Sequence, residues 1–515
     1  MLDAKNKFFY KNDNMKKQLT ILLYVYGVRI YTAIVSIVII PYIIKLVGFE
    51  SYGLVGFYAV LLACLNILDA GIGGVLTRQA IISRSSRINF DEFIGVFNKV
   101  IKLFILIGIT VAIVGSYLSY HYGKSWLKTS LSTDDISLCI SLMFCIFAVR
   151  YLQGPYRSLL LSNESQITIS SINLVYVTLS QPITLILLYF VHRDIKFYFF
   201  VQMFAAVINT ILMIYYGEKI KRIIRSTLPD GNDAIGKLSL RSILMFAMQL
   251  SVISVMWIIV NQSDKLALTK FIELSEYAKY SVAVSVSALI FIISDPLNQV
   301  LLPKLTRYYN EKKYDAYSEC FTSAVLFVCL CLIPLSMFLF FNGTKLLYVW
   351  SGEQELSIGA GKYLPWIFLG GIFGVFSNFC FLLRYSSGEL KKHTIVYCIF
   401  GIIVVPLNVF IASKYHGIGA AIFFSVSSSV LFITWSGYNF HKYFYSGTNF
   451  IFKIMVPLFI GMYAFFYMLS NYEIKSDNRA LSLFFMLVEG VGGVVIAAVY
   501  IILVKDRLNV KLRMN

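Results

Sequence analysis

Fourteen apolar stretches, each long enough to cross a bilayer, follow one another along this chain, and no other feature restricts its fold as much. A transmembrane helix needs about 20 mostly apolar residues. Runs of that size stand between clusters of charge, glycine and asparagine at residues 19–45, 52–76, 100–120, 136–159, 167–191 and 197–216. After a polar linker come 240–261, 277–301, 320–341, 363–387, 394–413 and 417–440, and two more, 451–470 and 480–504, close the series. The expected fold class is all-α integral membrane with about 14 transmembrane helices.

Composition agrees. Only 14% of the residues are charged and mean hydropathy is +0.73, against roughly a quarter charged in soluble domains. The formal net charge of +18 is spread over short loops and never gathers into one domain, which points to an anionic lipid surface as partner and to no nucleic acid. The first apolar run exceeds a signal-peptide core and is followed by further spans, so it is expected to stay as a membrane helix. The eight cysteines fall inside apolar runs with no CxxC and no histidine cluster nearby, and read as small packing residues.

An even number of spans puts both termini on one side. Lys and Arg outnumber those of the opposite side in the loops facing the amino terminus, which assigns both ends to the cytoplasm. The linker at 217–239, with Lys219, Lys221, Arg222, Arg225 and Lys237 around Pro229-Asp230-Gly231, reads as a connector between two halves. These halves echo one another. Lys45 to Tyr52-Gly53 at the junction of spans one and two recurs as Lys270 to Tyr277-Ala278 at the junction of seven and eight. Asp69 and then Leu76-Thr77-Arg78 recur as Asp295 and Leu305-Thr306-Arg307. Six spans per half make a parallel repeat about an axis along the membrane normal. The expected domains are residues 1–225 (spans one to six), 226–445 (spans seven to twelve) and 446–515 (two additional helices and a basic tail).

Charges inside spans are the candidate functional residues, because each costs about 2.5 to 3.5 kcal/mol at the bilayer centre and normally faces protein or a water-filled cavity. Arg29 lies ten residues into span one with Tyr26, Thr32 and Ser36 on its side; it either lines a cavity or pairs with a carboxylate such as Asp69. Span four presents Arg150, Gln153 and Arg157 on one face, Arg157 within snorkelling reach of the surface. Span seven carries Ser254, Trp257, Asn261, Asp264 and Lys265 on one flank, which either lines a cavity or forms a solvated helix terminus. Asp69 and Asp295 are candidates for gating or ion coupling, or for an interhelical hydrogen bond. Arg384 is placed near the inner surface, and Glu489 in the last span reads as a packing contact. Prolines 41, 182, 296, 334, 365, 406 and 457 favour bends.

No P-loop, HExxH or Gly-x-Ser-x-Gly is present, the five histidines are read as solvated loop residues, and no cofactor, metal or enzymatic activity is expected.

Pro41-Tyr-Ile-Ile-Lys-Leu-Val-Gly48-Phe-Glu-Ser-Tyr52-Gly53 followed by Leu68-Asp69-Ala-Gly71-Ile-Gly73, with Asp264-Lys265 and Glu276-Tyr277 later, resembles the Wzx-type O-antigen flippases. These are polysaccharide transporters of the multidrug/oligosaccharidyl-lipid/polysaccharide exporter superfamily. The resemblance implies two six-helix lobes around a central cavity that opens alternately to either side, in a bacterial inner membrane. It implies that cations receive the diphosphate of an undecaprenyl-diphosphate-linked oligosaccharide. Arg29 and Arg150, with Arg157, Lys265 and Arg384, are the cavity candidates; Asp69, Asp264 and Asp295 are those for gating or ion coupling. It also implies polysaccharide assembly proteins as partners. The two extra helices have relatives in lipid-linked peptidoglycan precursor flippases. Arginine suits phosphate because its planar fork makes paired charge-assisted bonds. Two alternatives remain: a cation-coupled drug exporter, which should prefer acidic cavity residues, and a membrane-embedded glycan polymerase or ligase, which generally needs a long outer loop.

Overall fold

The computed structural model describes residues 23–69, 72–229, 240–445, 447–471, 479–505 and 511–512, and nearly all of them are helical. Among the described residues ten helices are long and apolar enough to cross a membrane, and Leu274–Ser287 with Ile290–Asn310, bent by 40°, make an eleventh. The longest, Leu390–Tyr443, is two helices merged across a sharp break at His416 (φ 55°, ψ −150°). Phe49–Asp69 with Ile72–Ile82, and Leu240–Phe271, supply the remaining hydrophobic segments of the fourteen expected. The chain is a multi-pass, predominantly helical membrane protein.

Packing divides it into two compact units, up to Ile258 and from Ile259. In the first, Leu23–Val47 lies along Gln166–Phe190. Tyr24 bonds Ser171 at 2.8 Å and Tyr31 bonds Thr178 at 3.1 Å. The same seven-residue step in both helices makes them parallel neighbours. Helix Arg87–Trp126, capped by Ser86 accepting from the Asn89 amide, runs against Thr133–Tyr151. Glycines permit their close approach: a Cβ on Gly115 would stand 2.2 Å from Phe144, and one on Gly108 would stand 3.3 Å from the Ala148 carbonyl. Phe90, Phe93, Phe97 and Phe104 recur at helical spacing and are buried; Phe104 stacks on Tyr151 at 4.3 Å and Phe97 meets Tyr156 edge-on at 5.7 Å. A π turn surrounds Pro182 in Gln166–Phe190, and the Ser180 carbonyl there accepts from Gln202 at 2.6 Å.

In the second unit, helix Tyr314–Ser351 forms the spine. The last two helices, Ile451–Asn471 and Arg479–Lys505, pack on it through Phe338 against Phe466 and a 3.0 Å bond from Asn342 to Glu489, the packing role expected of that acid. Residues Phe444–Tyr445 pair antiparallel with Lys511–Leu512, and the Leu512 amide donates to Ser318.

The repeat has local structural counterparts. Near the start of the second helix of each half, a buried tyrosine (Tyr52, Tyr277) accompanies a carboxylate that fastens the connection between the third and fourth spans of that half. Glu50 accepts from Thr129 and Ser130, and Glu276 accepts from Lys362 and Tyr363. The fourth and tenth spans also end alike. The Ser165 amide donates to the Leu160 carbonyl across a left-handed Glu164, and the Glu389 amide donates to the Arg384 carbonyl across a left-handed Gly388. This closure satisfies end carbonyls that a helix leaves unpaired. It places Arg384 in the second unit where Leu160, fully buried, stands in the first.

Candidate functional site

Span four is Thr133–Tyr151 continued, after a step at Leu152, by Gln153–Ser162. Arg150 sits twelve residues before Ser162, about 18 Å along a helix. It is half-buried, its Nη1 donates to the Tyr176 hydroxyl at 3.0 Å, and its guanidinium lies 4.7 Å from the Tyr176 ring centre. One turn on, Gln153 donates to Thr210 at 2.8 Å, and Thr210 donates to the Val149 and Ala206 carbonyls. No carboxylate pairs with Arg150 among the described residues; ion pairs such as Lys196 with Asp135 and Asp194, and Arg225 with Asp91, lie near helix ends. The phenol and ring face of Tyr176 support a cation without neutralising it. Two turns on from Arg150, Arg157 is exposed.

Arg29 is exposed on the first span. At about 100° per residue it lies roughly 140° to 160° around the helix from Tyr24 and Tyr31, which face Gln166–Phe190, so it is presented away from that neighbour. Thr32 from its polar stripe bonds its own backbone at Val28. Asp69 ends helix Phe49–Asp69, but its side chain and that of Asn66 lie outside the described residues.

In the second unit Asp264 is 1% exposed. Tyr280 donates to its Oδ2 at 2.6 Å, and Lys265 Nζ stands 3.1 Å from its Oδ1 while donating to the Asn261 carbonyl at 2.6 Å. The helix continues to Phe271, so Asp264 is an interior residue and not a solvated terminus. Beside it Asn408 donates to Ser263 at 2.6 Å. Asp295 is exposed, and one turn on, Asn298 accepts from Asn378 at 2.6 Å.

Arg384 departs from the position near the surface that its place at a span end suggested: it is fully buried. Its Nε donates to Asn439 and its Nη1 to Glu389 Oε2, both at 2.6 Å, while Trp435 and Tyr443 flank the guanidinium at 5.1 and 5.4 Å. Glu389, in the connection to the next span, also accepts on Oε2 from Lys442 at 3.2 Å and from Tyr443 at 3.1 Å. Burial pushes its carboxyl up, but these two bonds and the charges of Lys442 and Arg384 outweigh that and hold it below the usual carboxylate range. His393 is buried too, contrary to the solvated position expected of it; its Nδ1 accepts from Trp435 at 3.0 Å. Tyr176, Tyr280, Glu389 and His393 escaped sequence reasoning, because tyrosines and loop acids are unremarkable until folding gives them partners.

Residues 21–309 match the family model described as Polysaccharide biosynthesis protein, and residues 242–410 match the MatE model. No curated protein matches the chain. Among solved structures, a lipid II flippase, MurJ, in an inward closed conformation superposes with a TM-score of 0.64 at 15% identity, over 95% of this chain and 99% of that one. An inward-facing multidrug resistance MATE family transporter of the MOP superfamily gives 0.59 at 13% identity, over 79% and 94%. A Vibrio cholerae MATE transporter gives 0.55 at 15% identity, over 81% and 94%. At such identities the likeness is one of fold.

Proposed function

The chain belongs to the polysaccharide biosynthesis protein family, and from that premise we propose that it is a flippase carrying an undecaprenyl-diphosphate-linked oligosaccharide from the cytoplasmic to the periplasmic leaflet. Arg150 is the observation that carries this reading: a cation held within a span by a tyrosine, with no carboxylate among the described residues to neutralise it. A head of sugars and diphosphate cannot cross about 30 Å of hydrocarbon unaided. A positively charged protein surface lowers that barrier, and the polyprenyl tail stays in lipid.

In this reading residues 1–225 and 226–445 form two lobes around a central cavity that opens alternately to either side, and 446–515 is an addition to the second. Arg29, Arg150 and Arg157 receive the diphosphate, and Lys265 and Arg384, paired in this conformation with Asp264 and Glu389, supply cations from the other lobe when those pairs open. Asp69, Asp264 and Asp295 serve gating or ion coupling. The protein works in a bacterial inner membrane with both termini cytoplasmic, beside polysaccharide assembly proteins, and no covalent step is assigned to it. A cation-coupled drug exporter is the second reading, favoured by the MatE match over 242–410. It needs an acid free to receive a cationic drug, whereas Asp264 is engaged by Lys265 and Tyr280.

Complementation separates them. In cells lacking their own flippase, the wild-type protein should restore surface polysaccharide and clear the lipid-linked unit from the cytoplasmic leaflet. Drug resistance without restored polysaccharide would select the exporter, and accumulation of the unit on the periplasmic face on deletion would select a polymerase.

A further inference from the structure

The end of span ten holds a charge that the fold does not need. Leu160 fills the corresponding place in the first unit, and Ser165 stands there in place of Glu389. A buried ion pair is seldom more stabilising than apolar packing of similar volume, so the exchange of Leu and Ser for Arg and Glu calls for another reason.

The surroundings suggest one. Three donors from two helices, Arg384 Nη1, Lys442 Nζ and the Tyr443 hydroxyl, converge on the single oxygen Glu389 Oε2. Ser387 adds a hydroxyl 3.1 Å from that of Tyr443. A second guanidinium nitrogen, Arg384 Nη2, is buried with no hydrogen-bond partner among the described residues. Two cations, two hydroxyls and an unused guanidinium donor are more than one carboxylate oxygen can satisfy. They suit a phosphate group, which offers several charged oxygens to a guanidinium fork. The guanidinium is held in place by Asn439 and by the Trp435 and Tyr443 rings, so it is prepared before any ligand arrives. Glu389, its side chain 45% exposed, lies with Ser387 on the connection between the two helices and is the carboxylate free to swing toward solvent. The cluster lies at the end of the unit where the chain's carboxyl-terminal strand docks, since Tyr317 bonds Ser386 and the adjacent Ser318 takes the Leu512 amide.

We propose that Arg384, Lys442, Tyr443 and Ser387 form a phosphate-binding subsite on the carboxyl-terminal side of the membrane, occupied in this conformation by the Glu389 carboxylate as an internal competitor. A phosphate or diphosphate group displaces Glu389, bonds Nη1 and Nη2 together and takes over the Lys442 and Tyr443 contacts. The group comes either from a lipid headgroup or from soluble phosphate.

The test uses the full chain in nanodiscs, with inorganic pyrophosphate as probe and its affinity read from the shift of the unfolding midpoint with concentration. In phosphatidylcholine discs, Glu389→Gln should bind pyrophosphate about tenfold more tightly than wild type, the equivalent of 1.4 kcal/mol. The double variant Arg384→Leu/Glu389→Ser restores the pair found in the first unit, so its packing has a precedent in this chain; it should bind more weakly than wild type. Repetition in phosphatidylglycerol discs identifies the source. Loss of the Glu389→Gln gain there means that lipid phosphate fills the subsite, and its persistence means that soluble phosphate does. The proposal is overturned if Glu389→Gln gains no affinity, or if the double variant binds pyrophosphate as well as wild type. The second comparison stands even if Glu389→Gln fails to fold.

Discussion

Lys265 Nζ lies 3.1 Å from Asp264 Oδ1, and the carboxylate it meets is 1% exposed. Neighbours in sequence, these two charges neutralise each other inside the second unit, with Tyr280 completing the shell of the acid. Removing one partner of a buried pair strands the other at a cost of about 3–5 kcal/mol. Lys265→Ala should therefore lower the unfolding midpoint of the purified protein sharply, while Asp264→Asn/Lys265→Met should recover most of the loss. Equal melting of Lys265→Ala and wild type would show that the ammonium does not hold the acid.

Arg150→Ala should insert and fold but abolish surface polysaccharide in the complementation assay, because it removes a cation that no carboxylate among the described residues requires. Arg150→Lys keeps the charge but not the fork and should restore only part of the export. Tyr176→Phe deletes one hydrogen bond from the guanidinium, worth about 1.5–3 kcal/mol, but leaves the charge in place and should reduce export far less. Wild-type glycan levels from Arg150→Ala would remove it from the mechanism.

Gly115→Leu should destabilise the first unit by about 1–3 kcal/mol, the usual range for overpacking, because even a Cβ there would meet the Phe144 ring at 2.2 Å. Pairing it with Phe144→Ala should relieve the clash, and a double-mutant cycle on unfolding midpoints measures the coupling.

Acid should loosen the end of span ten. The folded Glu389 carboxyl titrates below its ordinary value, so its contribution to stability is present above the unfolded pKa and disappears as pH falls through the folded one. The difference in unfolding midpoint between wild type and Glu389→Gln should be largest near neutral pH and shrink in acid. A difference that grows on acidification would contradict the assigned direction.

The spans were legible because a bilayer imposes one length and one composition on every crossing, and a 22-residue apolar run such as 320–341 has few other readings. The helices extend beyond those limits, Tyr314–Ser351 in this case, because hydropathy marks the apolar part and not where hydrogen bonding stops. Lys45 to Tyr52 and Lys270 to Tyr277 revealed the repeat by likeness of letters. Leu160 and Arg384 could not, since equivalent backbone there carries opposite chemistry. Arg150 was visible as a charge in an apolar run; its Tyr176 support comes from a different helix, 26 residues away, and belongs to tertiary packing. Burial of Arg384 and His393 arose in the same way, from Trp435, Asn439 and Tyr443 on a helix that returns to the same end of the unit.

Pairing Tyr445 with Lys511 turns the last two helices from a trailing appendage into a ring of chain fastened at its root. Both ends of the insertion are anchored on the same spine, so swinging it away from the unit breaks the strand bridge and the Asn342–Glu489 bond together. A fusion partner appended after Asn515 would begin three residues from that clasp, and a bulky one would pull on the fastening that keeps the ring shut.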